Sequence, residues 1–272
     1  MAARRGAGAD LAVVDTHAFV MSPIFLEENR LPGEIDGTLD TLVADMDKAG
    51  VRRTLCTFFV TKNDDTFSSV ATGLARHPGR VAAQLYLAAN HPGWAAANLR
   101  AAAADISVGG ARAAPSLFKL HPVDESLEKV WDACEQAKVP VQLVVDGSKF
   151  CEPATLAILA RARPNLALVL SLTRARHRTA LATLARYPRV FFQVPGLMDG
   201  EIKSGDAALL RWAARALPPM RVMFGSDRLG RERSYFAKVK ALRGLPADVR
   251  EHFAWRTAAE VYGARLPAWR AP

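Results

Sequence analysis

The sequence predicts a single (β/α)8 barrel that occupies residues 1–272, and three observations support this fold class. Eight short apolar runs alternate with longer segments of helical periodicity. The runs are apolar at successive residues, which is typical of parallel strands covered by helices on both faces. The length of 272 residues suits such a barrel, which typically needs about 250. An open doubly wound sheet would show the same alternation, but the count of eight and the lack of a Gly-x-Gly-x-x-Gly motif after the first run favour the closed form.

The predicted strands share an apolar, β-branched or aromatic composition. They are residues 11–14, 54–60, 81–87, 116–120, 140–145, 166–172, 190–194 and 221–224. The segments between them carry apolar residues at helical spacing and end at stop signals such as Gly50 and His77-Pro78-Gly79. In chain order the predicted helices are residues 38–49, 65–76, 94–106, 125–138, 153–163, 177–186, 206–217, 232–242 and 247–262. We expect the loop of residues 17–37 to cover the mouth of the barrel.

No repeat, low-complexity tract or Gly/Ser-rich linker divides the chain, so we expect one domain, with residues 1–10 flexible. The N-terminus lacks the apolar segment of a signal peptide, and no run approaches the roughly 18 apolar residues of a membrane span. The odd number of cysteines (Cys56, Cys134 and Cys151) argues against a disulfide framework. These features predict a soluble, cytoplasmic protein that does not bind membranes.

The net charge of +9 comes mainly from arginines spread over the predicted helices. No basic block with interleaved aromatic residues is present, so nucleic-acid binding is not expected. The charge has two interpretations: a solvated arginine-rich surface, or attraction of a small anionic substrate or an acidic partner protein. The sequence also leaves open a homo-oligomer and pairing with a homologue or an acidic carrier protein.

In barrels of this type chemistry takes place at the carboxyl ends of the strands. Motifs follow predicted strands one, four and eight: Asp15-Thr16-His17, Lys119-Leu120-His121-Pro122 and Phe224-Gly225-Ser226-Asp227. Together with the segments 46–51, 77–80 and 258–263, their order and spacing resemble the metal-dependent amidohydrolase superfamily, in particular its branch of aromatic-acid decarboxylases and barrel hydrolases. The resemblance runs nearly the whole length of the chain. It implies the same barrel and an enzyme that acts at its mouth.

The resemblance also implies a metal site, but most of its ligands are missing here. The family uses two histidines of a His-x-His motif, a histidine on strand five, often one on strand six, and an aspartate on strand eight. Phe19 replaces the second histidine, and the strand-five and strand-six positions fall near Val144 and Leu172, so only His17 and Asp227 remain. Because catalytic zinc needs about three protein ligands, we expect no tightly bound metal and no cofactor.

Asp227 and His17 are the first candidate catalytic residues. The resemblance assigns the strand-eight aspartate the role of general base, which takes a proton from water. The alternative for Asp227 is structural, as a cap of the next turn or a partner of a nearby arginine. His17 is expected to face Asp227 across the mouth, and its alternative is a hydrogen-bonded core histidine.

Lys119 is the third candidate catalytic residue, because on the predicted fourth strand it shares a face with His121 and would bind an oxyanion there. The candidates for substrate binding are His121, Arg174, Arg178, Gln193 and Phe19. The two arginines follow predicted strand six and would hold a substrate carboxylate. Gln193, near the end of strand seven, would donate to a substrate carbonyl. The polar candidates have structural alternatives: an outward ion pair for Lys119 and His121, an exposed helix start for the arginines and a packed polar residue for Gln193.

Three functions are compatible with these residues. The first is hydrolysis of a small anionic lactone, ester or amide without a tightly bound metal, with Asp227 as general base; the resemblance supports it because some members of the superfamily hydrolyse lactones in this way. The second is a catalytically inactive barrel that acts as a binding or partner subunit. The third is a metal-dependent decarboxylase with a rearranged ligand set. The clustering of polar residues at the strand ends favours the first.

Overall fold

The structure is a computed structural model that describes residues 11–21, 38–59, 66–104, 108–172, 178–194, 208–228, 233–266 and 269. Within these ranges eight parallel strands form one sheet in which neighbours in the chain are neighbours in space. The strands are β1 (Val13–Met21), β2 (Val51–Phe59), β3 (Val81–Leu87), β4 (Val108–Ala113), β5 (Val141–Val145), β6 (Leu168–Leu172), β7 (Val190–Val194) and β8 (Val222–Phe224). Just past β8, Arg228 forms a parallel bridge with Ala18 of β1. This bridge joins the last strand to the first and closes the sheet into a barrel. The fold is the predicted (β/α)8 barrel.

A helix follows each strand, and further helices follow the eighth. They are α1 (Leu39–Ala49), α2 (Thr66–Arg76), α3 (Pro92–Ala102), α4 (Glu128–Gln136), α5 (Pro153–Ala162), α6 (Arg178–Ala182), α7 (Ala208–Ala216), α8 (Arg233–Arg243), α9 (Ala247–Glu251) and α10 (Thr257–Tyr262). The bounds of α1 follow from local signals, because the Thr38 hydroxyl accepts from the Thr41 amide at its start and Gly50 ends it with a φ of 68°. None of the helices in the described ranges is long and apolar enough to cross a membrane.

Alternate residues of the strands face opposite sides of the barrel wall. On β7, for example, Phe192 packs with the surrounding helices, whereas Phe191 packs inside the barrel. The inner apolar cluster comes from the early residues of the strands, such as Val14, Leu55, Ala82, Val169, Phe191 and Met223. Tyr262 of α10, with Leu266 and Trp269, packs against this cluster. We call these three residues the plug, because they close the amino-terminal end of the barrel and leave the carboxyl end for a site.

A belt of polar side chains crosses the interior between the plug and the mouth. Thr57 Oγ1 donates to Gln84 Oε1 at 2.8 Å. On the other side, Gln142 donates to Gln193, and Gln193 Nε2 in turn donates to Thr16 Oγ1 at 2.7 Å. All five side chains are buried. The belt therefore uses hydrogen bonds to satisfy most of the polar groups that water does not reach, and Gln142 Oε1 is left without a partner among the described residues.

The fourth strand is not where the apolar run predicted it, so the prediction of a strand at residues 116–120 is wrong. β4 comes earlier, and Pro115–Phe118 forms one 3-10 turn that ends at Lys119, whose φ is 58°. Packing against the plug explains the difference. A Cβ atom on Gly109 of β4 would lie 2.6 Å from Leu266. The strand therefore needs small residues, and its sequence lacks the bulky apolar run by which strands are recognised.

The first strand is longer than its apolar run at residues 11–14 predicted. β1 continues to Met21 through an irregular register against β2 between Asp15 and Ala18. His17 and Phe19 consequently lie on the strand instead of in a loop. Most of the loop that was expected to cover the mouth, residues 22–37, lies outside the described residues, and so do residues 1–10.

Candidate active site

Three ionisable side chains meet inside the carboxyl end of the barrel. They are His17 of β1, Arg112 of β4 and Asp227, which follows β8. Asp227 Oδ1 lies 2.8 Å from His17 Nδ1, and Arg112 Nη1 lies 2.9 Å from His17 Nε2. His17 is fully buried, and the exposed fractions of Asp227 and Arg112 are 3% and 6%. The imidazole is thus held between a buried carboxylate and a buried guanidinium.

His17 is neutral at physiological pH. Burial lowers its pKa, the positive charge of Arg112 lowers it further, and Asp227 opposes both, so that the pKa lies at about 4. A neutral imidazole has one N–H donor and one acceptor nitrogen. Because the Asp227 carboxylate only accepts, the proton of the neutral ring is on Nδ1, 2.8 Å from Asp227 Oδ1, and Arg112 Nη1 lies 2.9 Å from Nε2 and 3.4 Å from Nδ1. The Asp227 carboxylate therefore selects one tautomer of His17.

Asp227 is an ionised carboxylate with little stabilisation from hydrogen bonds. Apart from the contact with His17, neither oxygen meets a hydrogen-bond donor within the described part of the chain. Burial raises the pKa of Asp227, but His17 and Arg112 together outweigh that effect and hold the pKa below its ordinary value. A buried carboxylate with acceptor capacity to spare is suited to accept a proton or hold a water molecule.

The position of Asp227 depends on a turn that Asp15 holds in place. Ser226 donates to the Asp15 carboxylate with its backbone amide at 2.7 Å and with its hydroxyl at 2.6 Å. The Asp227 amide donates to the His17 carbonyl at 2.9 Å, and Asp227 has a φ of 54°, in the left-handed region. Burial raises the pKa of Asp15 to about 6, although the Ser226 hydrogen bonds oppose the shift. Because Asp15 accepts both Ser226 hydrogen bonds, it fixes the turn that places Asp227.

Phe19 lies beside both His17 and Arg112. Its ring is edge-on to the His17 imidazole, with centroids 4.4 Å apart, and the Arg112 guanidinium carbon lies 5.0 Å from its centre. A guanidinium within about 6 Å of an aromatic ring is stabilised by the quadrupole of the ring. Phe19, a predicted substrate-binding residue, thus contributes to holding Arg112 as well as lining the site.

Gln193, the predicted donor to a substrate carbonyl, lies in the polar belt. Its amide group is bound to Gln142 on one side and to Thr16 on the other. An added Cβ on Gly225 would lie 2.6 Å from Gln193 Cδ, so the side chain is also enclosed by the backbone after β8. This arrangement corresponds to the structural alternative, a packed polar residue.

Lys119 and His121 do not share a strand face, and the sequence-based reason for placing them at the mouth is therefore wrong. Both are exposed, in the loop between β4 and α4, where the His121 ring lies 5.2 Å from that of Phe150. Arg178 begins α6 and its guanidinium lies 5.6 Å from the Trp212 ring of α7. Arg174 lies outside the described residues.

Arg112 is the residue that the sequence analysis missed. It lies in the segment Val108-Gly109-Gly110-Ala111-Arg112-Ala113, which has two glycines and a charge and resembles a loop. The spacing of the units along the chain could have indicated this strand. Strand and helix units recur at similar intervals in such barrels, and this segment lies at the interval expected for the fourth strand. A charged residue near the end of such a strand is a candidate site residue by that reasoning.

The metal that the resemblance implies does not fit the residues present. Within the described ranges, no group of three or more His, Cys, Asp or Glu side chains is placed to bind a metal ion. Val144 of β5 pairs in register with Ser171 of β6, and Leu172, where the family histidine was expected, packs in the outer layer with the helices. The Arg112 Nη1 atom lies 2.9 Å from His17 Nε2 and 3.4 Å from Nδ1, so a positive charge lies against the imidazole that a metal would need as a ligand.

Comparison with protein families gives one match, to a family model described as amidohydrolase, over residues 15–264. A search of curated protein sequences finds no match.

Solved structures show the same architecture at low sequence identity. The 5-carboxyvanillate decarboxylase of Sphingomonas paucimobilis is 16% identical with a TM-score of 0.64, and the alignment covers 93% of this chain and 99% of that one. A dihydroxybenzoic acid decarboxylase from a Polaromonas species, with bound manganese, is 13% identical with a TM-score of 0.67 and coverages of 92% and 96%. A probable 2-pyrone-4,6-dicarboxylic acid hydrolase from Acinetobacter baumannii, with citric acid bound, is 15% identical with a TM-score of 0.65 and coverages of 92% and 99%.

Proposed function

The chain belongs to the amidohydrolase family, and we propose that it hydrolyses a small anionic carbonyl compound (a lactone, ester or amide) without a tightly bound metal. The observation that carries the proposal is the ionised carboxylate of Asp227. It is buried near Arg112, and almost no hydrogen-bond donor in the described part of the chain contacts it. Members of the family are enzymes, and this pair provides a base and a positive charge at the place where such barrels carry out chemistry.

Asp227 is the general base of the proposed reaction. It takes a proton from a water molecule as the water oxygen attacks the carbonyl carbon. The contact of 2.8 Å between His17 Nδ1 and Asp227 Oδ1 holds the carboxylate in position. The carbon–oxygen or carbon–nitrogen bond of the tetrahedral intermediate then breaks, and the proton passes from Asp227 to the leaving group. The atoms balance with water as the one co-reactant.

Arg112 takes the role that the sequence analysis assigned to Lys119. Its guanidinium is buried beside the base, whereas Lys119 is exposed to solvent. A fixed cation in a water-poor site stabilises the negative oxygen of the intermediate more effectively than a solvated one. A substrate that carries a carboxylate is also drawn to this charge, and Arg174 stays a predicted second contact for it.

Decarboxylation is the second candidate, because two of the structural neighbours are named decarboxylases of aromatic acids. Arg112 would then hold the carboxylate that leaves. The rearranged ligand set of a metal-dependent decarboxylase is not found among the described residues. The two reactions differ in product, since only decarboxylation releases carbon dioxide.

The Asp227→Asn variant tests the proposed base. A panel of pyrone and aromatic lactones, esters and acids is assayed for ring opening, proton release and carbon dioxide release, and we expect hydrolysis of at least one anionic member. Asp227→Asn should lower kcat by about 100- to 10,000-fold, the usual cost of losing a general base. Asparagine suits the test because it tolerates a positive φ, so the fold should be retained.

Asp124→Asn is the matched control, because Asp124 caps the turn Glu125–Leu127 at a partly exposed position away from His17 and Asp227. It should retain the wild-type rate. Wild-type turnover by Asp227→Asn would end the proposal, and release of carbon dioxide without hydrolysis would favour decarboxylation. No turnover of any compound, together with a protein partner bound across the mouth, would favour the inactive-barrel alternative.

A further inference from the structure

Arg112 contacts the side chains at two of the positions where the resemblance expects metal ligands. Its Nη1 lies 2.9 Å from His17 Nε2, and its guanidinium lies 5.0 Å from the ring of Phe19, the residue that replaces the second histidine of the first-strand motif. The guanidinium also acts electrostatically on Asp227, the third position, by lowering its pKa. We propose that the Arg112 guanidinium is a built-in replacement for the divalent cation of this site.

The contact with His17 makes Arg112 and a metal ion mutually exclusive. Arg112 Nη1 lies 2.9 Å from His17 Nε2, the nitrogen that carries the free lone pair of the neutral ring, and 3.4 Å from Nδ1, so the guanidinium lies against the imidazole. A metal ligated by the same nitrogen would displace the guanidinium and would have to lie beside its positive charge. Arg112 is 6% exposed and cannot turn towards solvent without leaving the barrel interior.

Phe19 completes the replacement. A second histidine at this position would offer a nitrogen ligand to a metal, whereas phenylalanine offers none. An aromatic ring without donors or acceptors supports a guanidinium through its face, at the observed distance of 5.0 Å. The exchange of histidine for phenylalanine and the presence of Arg112 therefore form one coupled change, and the site is not merely a metal site that has lost ligands.

The test is to restore the missing ligands with and without Arg112. We would compare wild type, Phe19→His/Val144→His, and the same double variant with Arg112→Met added, by elemental analysis after desalting and by Mn²⁺ and Zn²⁺ titration. The triple variant should retain close to one ion per chain and bind it about 100-fold more tightly than the double variant, because the competing positive charge is gone and changes beside metal ligands typically alter affinity by about 10- to 100-fold. Wild type and the double variant should retain none.

A second triple variant, Phe19→His/Val144→His/Lys119→Met, is the matched control, because it removes an exposed cation of the loop after β4. It should behave like the double variant. Equal metal binding by the double variant and the Arg112→Met triple variant would overturn the proposal, as would stoichiometric metal in the wild type. Metal binding is measured without any assay of turnover. A failure of this proposal can therefore be told apart from a failure of the proposed hydrolysis.

A second measurement decides the matter if the triple variant does not fold or binds no ion. Arg112→Ala leaves a space between His17, Phe19 and Asp227 that should favour a cation. Low-millimolar guanidinium should raise its thermal midpoint by about 2 °C or more relative to equimolar urea, a neutral molecule of similar shape, and should not do so for wild type. The same response to guanidinium and urea in Arg112→Ala would contradict the proposal.

Discussion

His17 and Asp15 are two buried groups, two residues apart on β1, whose pKa values shift in opposite directions. Burial and Arg112 lower the pKa of His17 from 6.5 to about 4, whereas burial raises that of Asp15 from 3.8 to about 6. Both shifts come from removing a charged form from water, which disfavours the cation of one group and the anion of the other. Their effects on stability therefore oppose each other.

The opposition predicts how the free energy of unfolding changes with pH. Between pH 4 and 6.5 the unfolded chain binds more protons at His17, so this group makes stability rise with pH. Between pH 3.8 and 6 the folded chain binds more protons at Asp15, so this group makes stability fall with pH. Relative to wild type, His17→Gln should lose stability as pH rises from 4 to 6, and Asp15→Asn should gain it, by about 3 kcal/mol each.

Urea midpoints at half-unit steps from pH 4 to 7 measure these slopes. The differences from wild type are the relevant quantity, because surface carboxylates contribute equally to all three proteins. Slopes of the same sign in the two variants would contradict the assignment of the shifts to these residues.

The segment that links β8 to β1 shows how one element positions the base. Gly225 faces Gln193 of the polar belt, and an added Cβ would lie 2.6 Å from Gln193 Cδ. Gln193 cannot move away freely, because Gln142 and Thr16 hold its amide. Ser226 and Asp227 follow directly, so a disturbance at Gly225 reaches the site.

Gly225→Ala should therefore lower the free energy of unfolding by about 1–3 kcal/mol, the usual cost of overpacking a buried position. Gly93→Ala is the matched control. Gly93 lies in α3 with no atom within 4 Å of an added Cβ, so the substitution should stabilise the protein by about 0.5–1 kcal/mol through the unfolded chain. Urea unfolding measures both. A Gly225→Ala protein as stable as wild type would show that Gln193 repositions without cost.

At the scale of the whole molecule, the barrel depends on the plug at its amino-terminal end. Tyr262, Leu266 and Trp269 come from the last part of the described chain and pack against residues of six strands. Trp269 is 2% exposed and its ring lies 6.1 Å from that of Tyr262. These three side chains thus cover apolar residues inside the barrel that the strands alone would leave exposed.

Trp269→Ala should lower the free energy of unfolding by about 3–5 kcal/mol, because it removes a large side chain from a packed interior. Trp94→Ala is the control, since Trp94 is 61% exposed on α3 and its removal should change stability little. Urea unfolding followed by far-UV circular dichroism compares the two. Equal effects of the two substitutions on the free energy of unfolding would mean that packing of the plug does not stabilise the barrel.

Most strands and helices were predictable because their signals are local. Seven of the eight apolar runs overlap a strand, and helix ends such as Gly50 follow from the conformation of a single residue. β4 was not predictable in this way, because its glycines are explained by Leu266, which lies far along the chain. The apolar run placed there instead belongs to the following loop, which is why Lys119 and His121 were assigned to the site.

Local patterns in the chain were enough to establish the alternation of strands and helices, the family resemblance and the retention of His17 and Asp227 among the metal-ligand positions. The identity of the cation beside them, Arg112, follows from the three-dimensional fold. His17 and Arg112 are 95 residues apart, and their contact at 2.9 Å exists because the curvature of the barrel wall brings β1 and β4 to face each other across the interior. Periodicity and propensity report on neighbours along the chain, whereas a contact across a barrel depends on where the sheet closes and on which side of the wall each side chain faces.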